Sequence, residues 1–72
     1  MLVKKKNKII LKLNKQLYDS RCIKEIFNEY AKEYQLEMKD DNTHINIELP
    51  KEKLAYEFAS YVLELMKSKG IV

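Results

Sequence analysis

One histidine, one cysteine and an adjacent pair of aspartates are the side chains of this chain best suited to chemistry. His44 could act as a general base near neutral pH, where an imidazole changes charge. Cys22 could attack as a thiolate, and the paired carboxylates Asp40-Asp41 could do acid–base work. Each also has a plainer reading. Asp40-Asp41-Asn42-Thr43 is a dense turn signal, because these short side chains bond neighbouring backbone groups and tolerate tight conformations. His44 follows that turn on the polar side of an alternating run, near Asn46 and Glu48, with no nucleophile beside it. Cys22 sits among apolar residues at helical spacing, the position of a small buried hydrophobe.

Two further classes of chemistry fail on counting. A single histidine and a single cysteine leave a zinc site within one chain essentially without ligands. Gly70 is the only glycine, so there is no glycine-rich loop to let backbone N–H groups close around a phosphate. The expectation is a chain without catalytic residues, metal or cofactor, and not an enzyme.

The elements that would position these residues are legible as periodicities. Ile9, Leu11 and Leu13 alternate with Lys8, Ile10, Lys12 and Asn14, the period of a half-buried strand. Asp19 or Ser20 then caps a helix whose apolar residues recur at 22, 23, 26, 27, 30, 31 and 34, with charged residues on most of the opposite side. Leu36 and Met38 make a short strand, and after the 40–43 turn Ile45, Ile47 and Leu49 make another, so the two form a hairpin. Pro50 ends that strand and opens a helix from Lys51 to Lys69. Gly70 suits the left-handed position beyond its end, with Ile71 placed for a Schellman contact.

The order is therefore β-α-β-β-α: an α+β domain spanning residues 1–72, with a three-stranded antiparallel sheet and both helices on one face. The sequence favours placing the last strand between the other two, with a right-handed crossover through the first helix. No linker or internal repeat divides the chain.

Charge and size restrict the setting. The first sixteen residues carry lysines at 4, 5, 6, 8, 12 and 15 and no acid, while the whole chain is only +3. A solvated, fraying terminus accounts for that run. The apolar stretch Ile9-Ile10-Leu11 is cut by Lys12, too short for a signal peptide or a membrane span. A lone free cysteine suits a reducing compartment. The expected location is the cytoplasm, with no membrane contact. A single core in a chain this small rarely contributes more than roughly 3–5 kcal/mol net, so a partner that binds the folded state would stabilise it by mass action.

The last helix carries the strongest functional hint. Leu54, Ala55, Phe58, Tyr61, Val62, Leu65 and Met66 form the stripe that a core-facing helix needs. Tyr56, Ala59 and Leu63 widen that arc to roughly 220°, where about 100° is usual. These three residues are the expected partner-binding surface. Leu2, Val3, Leu17 or Ile71 could instead fold over the flank from within the same chain.

The arrangement also carries a family likeness. With Tyr18-Asp19 before the first helix and Phe58-Ala59-Ser60-Tyr61-Val62-Leu63-Glu64 in the last, the chain resembles the small HxsD-like proteins. These accompany radical-SAM enzymes in His-Xaa-Ser and related peptide-modification gene clusters. That family carries a signature close to Leu-Leu-Asn-Asp-Tyr-x-Leu-Arg-Glu in its final helix. Tyr61 and Leu63 match it and Phe58 keeps an apolar position, whereas Ala59, Ser60, Glu64 and Leu65 replace its Asn, Asp, Arg and Glu. The resemblance implies a non-catalytic accessory protein for RiPP maturation, acting beside a radical-SAM maturase and its precursor peptide.

The leading expectation is thus an accessory module that works by protein–protein interaction. A homodimer in which two last helices cover each other is a close relative of it, and strand addition at an open sheet edge is a second mode. The competing class is a small basic nucleic-acid-binding protein using the lysine-rich start, with steeply salt-dependent affinity. Against it, the aromatics fall on helical stripes and not between basic residues on one face.

Overall fold

A computed structural model describes residues 2–5 and 7–71. The elements run β1 (Leu2–Lys5), β2 (Lys8–Asn14), α1 (Ser20–Ala31), β3 (Glu37–Asp40), β4 (His44–Leu49) and α2 (Glu52–Ser68). The sheet has four antiparallel strands in the order β1-β2-β4-β3, one strand more than the sequence reading expected. β4 does lie between β2 and β3, and the additional strand extends the sheet beyond β2.

That additional strand corrects the expectation of a fraying basic terminus. Leu2 pairs with Leu11 and Val3 with Ile10, closing a hairpin at Lys5 and Lys8. Asn7 in the connection has a φ of 65°, a left-handed conformation that asparagine tolerates better than most residues. Leu2 packs against the core, and Lys4 Nζ reaches Glu52 Oε2 on α2 at 3.1 Å. Lysines on an outer strand also discourage further strands from adding there. Lys6, part of the same basic run, lies outside the described residues.

Alternation sorts the strands as their periods require. Leu11 and Leu13 on β2 and Ile45, Ile47 and Leu49 on β4 are buried on one face, with Leu11 opposite Ile47 and Leu13 opposite Ile45. Both helices pack on that face: Cys22 and Ile23 from α1, and Leu54, Ala55, Phe58, Ala59, Val62 and Met66 from α2, complete the core. No buried polar or charged residue interrupts it among the described residues. The other face carries Ile10, Lys12, Asn46, Glu48 and Lys39, and neither α1 nor α2 packs on it.

The helix ends follow the capping rules. Asp19 Oδ2 accepts from the Cys22 N–H at 3.1 Å, and this contact holds the Asp19 carboxyl below its ordinary pKa. α1 ends at Ala31, earlier than its apolar period suggested, and closes in a tighter turn in which the Tyr30 carbonyl accepts from the Glu33 N–H as well as from that of Tyr34. α2 ends in a Schellman motif: Gly70, at φ 71°, donates to the Lys67 carbonyl and Ile71 to that of Met66. No helix among the described residues is long and apolar enough to cross a membrane.

Candidate interaction surface

Of the residues singled out for chemistry, Asp40, Asp41 and His44 share the β3–β4 turn, where the Thr43 hydroxyl lies between Asp41 Oδ1 at 3.4 Å and His44 Nδ1, whereas Cys22 lies in the core. Cys22 is fully buried near the start of α1, and burial pushes its thiol pKa up, so the reactive thiolate is disfavoured. Asp41 is consumed by its own turn. Its Oδ1 accepts from the N–H groups of His44 at 2.7 Å and Thr43 at 2.8 Å, and its Oδ2 from Asn46 Nδ2 at 3.3 Å. Those backbone donors hold its pKa down at about 2. Asp40 is ion-paired with Lys15. His44 Nδ1 lies 2.8 Å from the Thr43 hydroxyl on the same turn. Among the described residues no group of three or more metal-ligating side chains converges.

Two clefts among the described residues are lined by none of these groups. The larger, about 710 Å³, opens at the end of the sheet between Asn7-Lys8, Leu36-Glu37, Leu49-Pro50 and the chain leaving α1. The smaller, about 220 Å³, lies between the helices and is lined by Glu29, Tyr30, Glu33, Tyr34, Leu54, Glu57 and Tyr61.

The outer flank of α2 is where the sequence placed a partner. Tyr56 is 57% exposed and Leu63 is 39% exposed. Seven residues apart, they sit one above the other, about two turns and ~10 Å along the helix. The Tyr56 hydroxyl donates to Glu52 Oε1 at 3.3 Å, and Glu52 in turn pairs with Lys4, which lowers its pKa. This chain of contacts ties the flank to β1 and orients the tyrosine ring along the helix. Ala59, expected beside them, is instead only 7% exposed and belongs to the core. Of the segments that could have folded over the flank, Leu2 is engaged with the core, while Val3, Leu17 and Ile71 remain exposed.

Tyr61 was expected in the core stripe and is 51% exposed. It belongs to a ring cluster that the sequence reading did not identify as a unit. Tyr30 stands edge-on to Phe58, with centroids 5.4 Å apart at 64°, and also faces Tyr34 and Tyr61 at 6.1 and 6.2 Å. The available signal was the repeat Glu29-Tyr30 and Glu33-Tyr34, an acid–aromatic pair recurring after one helical turn. Among the described residues no Phe, Tyr or Trp lies on a strand, so the open sheet face does not present a Phe, Tyr or Trp stacking platform of the kind a single-strand nucleic-acid binder uses.

Comparison with known proteins finds no matching family model, no matching curated protein and no matching solved structure.

Proposed function

We propose that this chain is a non-catalytic accessory module that docks onto another protein through the outer flank of α2. The observation that carries the reading is the pair Tyr56 and Leu63, large apolar side chains left in water two turns apart on one flank of a well-packed helix. A leucine moved from water into an interface contributes roughly 1.5–3 kcal/mol when fully buried. A tyrosine beside it adds apolar area with little conformational entropy to lose and keeps a polar tip for the rim. That His44, Cys22 and the aspartates line neither of the two clefts described above supports a role in binding over one in catalysis.

The sequence likeness to HxsD-like proteins supplies the context: the partner is a radical-SAM enzyme that modifies a ribosomally made peptide, and the shared compartment is the cytoplasm. The first observable is the gene neighbourhood, where a radical-SAM enzyme and a short precursor gene are expected. A neighbourhood with neither would remove the enzyme context. With that enzyme purified, sedimentation velocity is expected to show a complex that the folded Leu63→Glu variant forms at least ~30-fold more weakly, about 2 kcal/mol. Undiminished binding by that variant would overturn the surface.

A further inference from the structure

We propose that the cleft between α1 and α2 is a seat for one arginine side chain of a partner polypeptide. Tyr56 and Tyr61 are five residues apart, about 140° round the helix at ~100° per residue. The seat therefore lies on the opposite flank of α2 from Tyr56 and Leu63, and goes beyond the docking surface proposed above.

Three tyrosine rings and three carboxylates, from α1, the turn that follows it and α2, line that opening. Tyr30 is the fixed member: its ring is braced against Phe58, and its hydroxyl points to Glu57 Oε1 at 3.5 Å. Burial, and then the Glu57 charge, push the Tyr30 pKa up to about 12, which keeps that hydroxyl neutral and donating. The Tyr34 ring is tilted 34° from Tyr30 and the Tyr61 ring 57°, so three ring surfaces border one opening. Glu29, Glu33 and Glu57 line the same 220 Å³ space.

Charge complementarity fixes the occupant. Glu29 on α1 and Glu33 just beyond its end both line the cleft, and like charges sharing one space repel. Lys32 pairs with Glu29 alone, at 3.6 Å, with both side chains about 70% exposed. An exposed pair of this kind contributes little. No ion pair reaches Glu33 or Glu57 among the described residues. An incoming cation relieves that repulsion and meets the negative faces of the tyrosines. Guanidinium fits better than ammonium, because it is planar, stacks on an aromatic ring and donates two parallel hydrogen bonds to a carboxylate. A polypeptide fits better than a free amine. Tyr34 and Tyr61 leave 39% and 51% of their surfaces exposed on either side, apolar area that only a longer chain would cover.

The test is a titration of the full chain, isotopically labelled, with acetyl-Gly-Ala-Arg-Ala-Gly-amide, following the ring resonances of Tyr30, Tyr34 and Tyr61. Saturable shifts at all three rings are expected. The peptide with citrulline in place of arginine, isosteric but neutral, is expected to bind about tenfold more weakly or worse. Glu57→Gln and Glu33→Gln, both conservative surface changes, should each weaken the arginine peptide several-fold, and Tyr56→Ala should leave it unchanged. Absent ring shifts, equal binding of the citrulline peptide, or full binding by both glutamine variants would overturn the seat. Equal affinity for acetyl-arginine-amide alone would overturn its assignment to a polypeptide. Leu63→Glu disrupts only the other flank, so the two proposals fail separately.

Discussion

Asp41 shows how one residue can look catalytic and be structural. A carboxylate beside a histidine suggests acid–base work, yet both backbone N–H groups of Thr43 and His44 point into it and fix the β3–β4 turn. This has a pH signature with a definite sign. The folded pKa is lowered to about 2, against an ordinary value near ~3.9 in the unfolded chain. The unfolded state then takes up the proton first as pH falls, so the contribution of Asp41 is fully present above the unfolded value and is lost as pH falls through the folded one. Urea unfolding of the wild type and of Asp41→Asn should therefore differ in midpoint at neutral pH. The difference should narrow between about pH 4 and pH 2. A gap that stays constant over that range would mean the charge of Asp41 is not what holds the turn.

At the scale of elements, β1 separates the structure from its sequence. If residues 2–5 were a solvated tail, starting the chain at Asn7 would leave stability unchanged. In the hairpin, the same truncation removes Leu2 from the core, breaks the ladder to β2 and frees Glu52 from Lys4. The truncated chain should lose at least ~1 kcal/mol in urea unfolding, from the apolar burial of Leu2 alone; an unchanged midpoint would restore the tail. The other elements were legible because their periods are strong. β2 and β4 alternate over six or seven residues, α1 and α2 each repeat an apolar stripe through three or more turns, and Asp19, Pro50 and Gly70 mark where helices start and stop. β1 was not, since four residues with two lysines do not distinguish an edge strand from a charged tail. Ala59 lies at the edge of the core, 7% exposed, because a side chain this small is enclosed where the larger Tyr56 and Leu63 beside it are not. Tyr61 lies instead at the rim of the cleft between the helices, half-exposed beside the Tyr30 ring.

For the whole molecule, the question is what covers the apolar flank. An ordinary stable interface takes about 800 Å² from each partner, about one sixth of a surface of 5105 Å² and more than two side chains supply. Tyr56 and Leu63 form a narrow strip, interrupted by the exposed Ser60 and bounded below by the buried Ala59. Two such strips laid against each other have little apolar area to stabilise a dimer, whereas a larger partner with a groove can enclose one strip from both sides. The thermal midpoint of the isolated chain should therefore be flat across a roughly hundredfold range of its own concentration, because a monomer has no mass-action term. A steady rise would show that a second copy is the cover. Adding the docking partner should behave differently. At about one hundred times its Kd, a ligand specific for the folded state adds ~2.7 kcal/mol. A domain of this size gains roughly 4–8 °C per kcal/mol, so the midpoint should rise by about 10–20 °C. Leu63→Glu should abolish that rise while leaving the midpoint of the free chain close to wild type, since an exposed side chain contributes little to its own fold. A variant that melts early on its own would instead place Leu63 among the residues that hold the monomer together, and the flank would then be part of the fold.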